Sequence, residues 1–526
     1  MENKQTMEVE ASVKNGVVRM VLSLVAIGLE LLVFFLILTQ LSAIDTWLNV
    51  VIRVLALVLV LIIYNRNTCS NMKMPWIILI LMFPVFGTCM YLIVGLNGST
   101  KQMRKRYEVV DAELLPRLHD EAAEAESNAA LERLKAEKPQ WATLSKYLID
   151  KSGYPLYQNS DIEYYDDATK GLEAQKEELR KAEKFIFMEY HAIEDAESWH
   201  GLQEILEDRV KAGVDVRVFY DDMGSIGFIN TDFIERLEKV GIKCRVFNPF
   251  APGLNLFLNN RDHRKITVVD GKVGFTGGYN IANEYFNLTH PFGQWKDTGV
   301  KLTGEAVCSL TVTFLENWNA ISDSDENDAD YSLYLPETGY QGKEGALVQP
   351  YADSPLDDEH VGEEVYLSAV NMARDYCWYI TPYLILTDAA VHALSLAAKR
   401  GVDVRIITPG IPDKKLVYEV TRSYYHVLAK NGVRIYEWTP GFCHCKMCVA
   451  DDEIATCGTI NLDYRSLYHH FENGCLYMDC QAVMDTKADF ERTFAEATEV
   501  TEQCLARHNE FTHFTQGLLR LAAPLL

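Results

Sequence analysis

The sequence predicts an α/β protein, two copies of an α/β/α sandwich in tandem behind an N-terminal transmembrane helical region. Three observations carry that expectation. Three long apolar runs occupy the first hundred residues, a strand–helix–strand pattern occurs twice after about residue 141, and each copy closes on the same phrase of His, Lys, Asp, Gly and Asn. At 526 residues the chain is long enough for two or three folded units. The expected organisation is a transmembrane region over 1–100, a charged helical linker over 101–140, and α/β domains over 141–330 and 331–526.

The apolar runs are Met20 to Leu41, Trp47 to Tyr64 and Trp76 to Leu96, each near the roughly 20 residues that cross a bilayer. Three spans are expected, and the second and third runs behind the first argue against a removable signal peptide. Glu30 and Arg53 sit inside the first two runs, where a lone charge at the bilayer centre costs at least about 2.5 kcal/mol. They pair, or Arg53 snorkels; the pair reads as helix-to-helix adhesion, with a polar lipid or proton path as the alternative. Lys4, Lys14 and Arg19 precede the first run, Arg66 and Lys73 separate the second from the third, and Lys101, Arg104, Lys105 and Arg106 follow the third. Three full crossings cannot keep all these flanks in the cytosol. The densest cluster is the last, which places the C-terminal part in the cytoplasm as the bulk of a multi-pass cell-membrane protein. Either the N-terminus then lies outside, or one run is re-entrant or interfacial.

A net charge of −24 argues against a nucleic-acid partner, whose phosphates are held by Lys and Arg. The acidic stretches Asp111 to Glu137 and Asp323 to Asp330 read as solvated surface or linker. Twelve cysteines show no paired framework and read as free thiols. Cys443, Cys445 and Cys448 crowd within six positions, which favours a reducing compartment. With His444 they make a poor tetrahedral zinc set, so neither metal nor cofactor is expected.

The repeat is visible strand by strand. Lys184 to Tyr190 corresponds to Tyr376 to Tyr383. Ala212 to Val218 corresponds to Arg400 to Ile406, each a helix-ending Gly followed by a β-branched strand. Gly241 to Phe247 corresponds to Gly432 to Tyr436. Such a rhythm builds a sheet with helices on both faces, and two copies make two layers with a site between them. The boundary falls in Ser322 to Asp330, with the second copy beginning near Ala346.

Next in each copy comes the chemistry. His263, Lys265 and Asp270 are followed by Gly277-Gly278 and Asn280; His444, Lys446 and Asp451 are followed by Gly458-Thr459 and Asn461. Side chains two apart on a strand share a face, so an imidazole and an ammonium from each copy face one cavity. The Gly turns admit a phosphate, and the Asn amides add donors. Two copies supply a nucleophile, an acid and positive charge for the non-bridging oxygens of a phosphodiester, without a metal. Asp270 and Asp451 stand in the motif, yet an Asp at such a turn more often serves the turn. For Leu254 to Leu258 two readings stand, core or an apolar loop dipping into lipid. Phe511 to Leu526 is either a docking helix or a membrane-surface helix.

These paired H-x-K-x-x-x-x-D phrases resemble the phospholipase D superfamily. The chain is similar to its bacterial cardiolipin synthases in Pro84-Val-Phe-Gly87, Tyr91-Leu-Ile-Val-Gly95, Asn260 to Lys265, Thr381-Pro382-Tyr383, Asn461 to Ser466 and Leu519 to Leu526. It departs from them in His470, where Asn is usual, in the Cys-rich second motif and in an additional first span. The resemblance implies a phosphohistidine mechanism with His263 as nucleophile, and a carboxylate behind each histidine. Glu472 is the match expected for His444 and Asp297 for His263. It also implies transfer of a phosphatidyl group from one phosphatidylglycerol to another with release of glycerol. A phospholipase D-type hydrolase, or a transferase with another donor or acceptor, uses the same residues. A nuclease lacks its basic groove here, and a non-catalytic scaffold has no use for both motifs.

Overall fold

The computed structural model describes residues 46–66, 69–92, 98–249, 259–322, 328, 330–343, 345–506 and 510–523, with isolated positions between 21 and 36. The first half contributes β1 (Ser160–Tyr165), β2 (Phe185–Tyr190), β3 (Asp215–Asp221), β4 (Lys243–Phe247), β5 (Arg261–Asp262), β6 (Lys265–Val269), β7 (Val273–Gly277), β8 (Gln294–Lys296) and β9 (Gly299–Gly304). The second contributes β10 (Leu347–Asp353), β11 (Tyr376–Ile380), β12 (Asp403–Pro409), β13 (Arg434–Trp438), β14 (Gly441–Cys443), β15 (Met447–Ala450), β16 (Ile454–Gly458), β17 (His470–Met478) and β18 (Ala497–Glu499).

The two sheets repeat one order. The first runs β1-β9-β7-β6-β2-β3-β4 and the second β10-β17-β16-β15-β11-β12-β13, with β18 added at its edge. In each, three parallel strands joined by helices lie beside antiparallel ones. The crossover helices end where glycine allows a left-handed turn, at Gly213 (φ 91°) and Gly401 (φ 98°).

Alternation along the first sheet divides its side chains. Phe185, Phe187, Ile266 and Val268 face a core that continues into the second half, whereas Ile186, Met188, Val216 and Val218 face the outer helices. Between the sheets lies the Val307–Ala320 helix, buried at every position except Cys308. The halves therefore share one interior. The 101–140 stretch is helical but docked, since Tyr107, Val110, Leu114, Ala130 and Leu134 join that core. The stretch is therefore docked helix rather than free linker, and solvated surface describes the face that carries Glu121, Glu124, Glu132 and Glu137, which are exposed.

Among the described residues no helix is long and apolar enough to cross a membrane. The third apolar run is broken, with one helix ending at Met82 and another starting at Pro84. The first of these has 13 residues, about 20 Å against a hydrocarbon core of about 30 Å. The two fold back on each other so closely that a Cβ on Gly87 would lie 2.6 Å from Ile80 Cα. A continuous third span is thereby replaced by a doubled-back segment. Most of the first run, Glu30 with it, lies outside the described residues, as do Leu254 to Leu258, Pro524 to Leu526 and most of Asp323 to Asp330. The Glu510–Ala522 helix docks: the Arg520 guanidinium lies 4.5 Å from the centre of the Tyr424 ring, and its Nε donates to Ser423 Oγ at 3.1 Å.

Candidate active site

Each motif histidine follows a short strand that pairs with the other half. β5 runs parallel to the start of β17, Arg261 opposite His470 and Asp262 opposite Phe471. The Asp221 carboxylate fixes it, accepting from Arg261 Nε at 2.9 Å and from the Asp262 N–H at 3.0 Å. β14 pairs in parallel with β8, Phe442 opposite Trp295 and Cys443 opposite Lys296. The backbone then extends the exchange by one residue: His263 N–H donates to Phe471 O at 2.9 Å and His444 N–H to Lys296 O at 2.8 Å. Lys296 itself is clamped by Asp489 of the second half at 2.8 Å.

This exchange decides which carboxylate backs which imidazole. His263 Nδ1 lies 2.8 and 2.9 Å from the two oxygens of Glu472, and His444 Nδ1 lies 2.7 Å from Asp297 Oδ2. The pairing expected within each half is thus overturned: Glu472 serves His263 and Asp297 serves His444, because β5 and β14 carry each histidine across the interface.

All four groups are buried. Lys265 Nζ donates to His263 O at 2.6 Å, and Lys446 Nζ donates to His444 O while lying 2.8 Å from His444 Nδ1. Burial drives His263 well below the ordinary imidazole value, with Lys265, His191 and Lys446 adding to the effect. Burial and the Lys446 ammonium push His444 down to about 4 against the pull of Asp297. Burial pushes Lys265 down to about 7, although Glu472 opposes it, and lowers Lys446 as well. For Asp297 burial acts upward, but His444 and Lys446 outweigh it and hold the carboxyl below its usual value. The lowered values favour the uncharged imidazole in the substrate-free site; for His263, a proton on Nδ1 directed at Glu472 leaves the Nε2 lone pair for a substrate.

The other motif residues divide. Asp270 and Asp451, both with φ 54°, lie at the far ends of β6 and β15 from the histidines. Asp270 accepts the N–H groups of Glu183, Lys184 and Phe185 at 2.7–2.9 Å, and Asp451 those of Arg374, Asp375 and Tyr376 at 2.7–2.9 Å. Their place in the catalytic set is corrected accordingly: both brace turns. Asn280 accepts from the Ala192 N–H and donates to the Tyr285 hydroxyl at 2.7 Å. Asn461 Oδ1 is buried without a hydrogen bond among the described residues. Cys443, Cys445 and Cys448 are buried free thiols.

Several neighbours carry no local sequence signal. The His191 ring centre lies 5.0 Å from that of His263, and its Nδ1 is 2.7 Å from Asp262 O. His470, singled out in the sequence only as a departure, lies 5.5 Å from His263 on the same measure. Around His444 the neighbours are aromatic: Tyr285 at 5.2 Å, Trp295 at 5.3 Å and Phe442 at 5.8 Å. The internal repeat could have shown that Trp295-Lys296-Asp297 and His470-Phe471-Glu472 are equivalent, but not that they exchange partners.

Two matching sheets, with a histidine, a lysine and a crossed carboxylate from each, define a duplicated phospholipase D-type α/β protein. The family model described as cardiolipin synthase, PLD-like domain, matches residues 176–297 and 366–494, and the one described as phospholipase D-nuclease N-terminal matches 54–95. The chain belongs to the cardiolipin synthase family of phospholipase D-like proteins. It is 30% identical to cardiolipin synthase 1 of Staphylococcus aureus, over 90% of this chain and 95% of that one. With cardiolipin synthase 2 of Bacillus anthracis it shares 31% identity over 88% of this chain and 89% of that one. An uncharacterised protein of Streptococcus mutans is 40% identical over 89% and 99%. In fold the chain resembles the crystal structure of phosphatidylserine synthase from Haemophilus influenzae, with a TM-score of 0.54, 15% identity, and coverage of 69% of this chain and 95% of that one.

Proposed function

We propose that this chain is a phosphatidyltransferase that makes cardiolipin from two molecules of phosphatidylglycerol, releasing glycerol. The observation that carries the reading is the pair of buried His–carboxylate couples, each assembled from both halves and each with its own lysine.

His263 Nε2 attacks the phosphorus of the donor, and the bond to the glycerol oxygen breaks as that oxygen takes the Nε2 proton of His444, which picks up that proton from water when the anionic diester binds. The hydroxyl of the second phosphatidylglycerol then gives its proton to His444 and attacks the phosphatidyl-histidine, freeing His263. Lys265 and Lys446 exchange their carbonyl partners for the non-bridging oxygens. The anionic diester also offsets the lysine charges that depress His444, so substrate binding raises the imidazole that must supply the proton.

The same reading places the chain at the cell membrane with its two halves in the cytoplasm and phospholipids as its partners. It is supported by the exposed Val54, Leu57, Leu61, Leu81 and Met82 of the N-terminal helices, which leave apolar surface for a lipid phase. The test is to incubate the detergent-solubilised protein, with chelator, on phosphatidylglycerol alone and separate the lipids. Cardiolipin with free glycerol supports the proposal; phosphatidic acid makes the protein a hydrolase; no product from phosphatidylglycerol, but product from another donor, changes the substrate.

A further inference from the structure

The His263 half of the site contains a third imidazole that the transfer reaction does not use. His470 is nearly buried, and neither of its ring nitrogens makes a hydrogen bond among the described residues. Its Nδ1 stands 3.5 Å from Glu472 Oε1, the carboxylate that already serves His263. Among the described residues, His263, His470 and Glu472 form the one group of such side chains whose ligand atoms lie within 4.8 Å of one another. The equivalent position in the other half is Trp295, beside Asp297, which offers no ligand.

We propose that His263, His470 and Glu472 bind a borderline divalent ion, zinc by preference, and that the bound ion switches the transferase off. Two imidazoles and a carboxylate with a fourth position open to water are a zinc set. Bonds of about 2.0–2.2 Å in a tetrahedron put neighbouring ligand atoms roughly 3.3–3.5 Å apart. With Glu472 Oε1 as the ligand, the His470 separation of 3.5 Å already matches, and the His263 separation opens from 2.9 Å by about half an ångström.

Inhibition follows from the tautomer. Without metal, Nδ1–H of His263 points at Glu472 and Nε2 carries the lone pair that attacks phosphorus. Metal on Nδ1 takes that lone-pair position, and the displaced proton moves to Nε2 of the same ring. An Nε2–H has no lone pair for phosphorus, so no phosphatidyl-histidine forms. No proton is lost from the site and no redox partner is required. The ordinary reaction needs no metal; the ion competes with it.

The inference rests on His263 taking part in turnover, so metal binding is read separately from activity. The full-length protein in detergent, free of lipid substrate, is titrated with cobalt(II) and its visible spectrum recorded. A one-to-one complex with the intense absorption of tetrahedral cobalt is expected, together with nitrogen hyperfine structure from two imidazoles in the copper(II) resonance spectrum. His470→Asn is expected to weaken cobalt binding by about 10-fold or more. It is also expected to raise the zinc concentration for half-inhibition by a similar factor, each variant being compared with its own zinc-free rate. An octahedral cobalt spectrum in the unaltered protein, or zinc sensitivity in His470→Asn and His470→Gln equal to that of the unaltered protein, overturns the site whatever lipid the enzyme makes.

Discussion

The two half-sites share one backbone frame and differ in what fills it. Around His263 stand His191, His470 and Thr459, whose hydroxyl donates to Glu472. Around His444 stand Tyr285, Trp295 and Phe442, and at the place of Thr459 is Gly278, where a Cβ would lie 2.0 Å from Asp297 Oδ1. One imidazole is set among polar groups and the other against aromatic rings. The halves are alike in topology; the proposed division of labour between nucleophile and acid requires them to differ in surroundings.

The largest effect expected from that difference is on the histidines. His263→Ala and His444→Ala should each lower turnover by at least about 10⁴-fold on phosphatidylglycerol. With a phosphatidyl nitrophenyl ester, whose leaving group needs no proton, the first, single-turnover release of nitrophenol by His444→Ala should recover to within about 100-fold while that of His263→Ala should not. Nitrophenol release will tell, and recovery of His263→Ala instead would exchange the roles.

Next in size is the position behind each carboxylate. Gly278→Thr should displace Asp297 and cost about 100-fold or more in kcat. Thr459→Gly, which removes the hydroxyl's bonds to Glu472 and to the Asn473 backbone but forces no atom aside, should cost less than about 10-fold. Equal losses would mean that the half-sites are interchangeable.

Asp270→Ala and Asp451→Ala should act on stability rather than rate, each by about 2–4 kcal/mol, because three backbone N–H groups lose their acceptor. Denaturant midpoints should fall while turnover per folded molecule holds; a selective loss of kcat would return these aspartates to the catalytic set.

The smallest effect is on pH dependence. Lys265, lowered to about 7, is charged below that pH and neutral above it. In the substrate-free enzyme, kcat/KM should therefore fall as pH rises through about 7. Lys265→Arg should move the limb upward if it retains activity, since guanidinium stays charged.

Much of this was legible in the sequence, for local reasons. His263-x-Lys265 and His444-x-Lys446 announce themselves by spacing, and the paired strands by β-branched runs after helix-ending glycines. The crossed carboxylates were not legible: they depend on β5, two residues long, meeting β17 some 209 positions away, and no periodicity records such a contact. Nor was the broken third apolar run, because hydropathy summed over Trp76 to Leu96 hides the interruption between Met82 and Pro84. The turn role of Asp270 and Asp451 was suggested by their neighbours and is borne out by six backbone hydrogen bonds.

The central claim, covalent transfer through one histidine with the other as acid and base, is tested most directly by trapping the intermediate. His444→Ala is mixed with the phosphatidyl nitrophenyl ester labelled in its phosphatidyl moiety, whose leaving group needs no proton, then quenched under alkaline conditions that preserve phosphohistidine and mapped by peptide mass spectrometry. The account predicts label on the peptide containing His263 and none in the His263→Ala protein; label on another residue, or product formation with no labelled peptide under any quench, would contradict it.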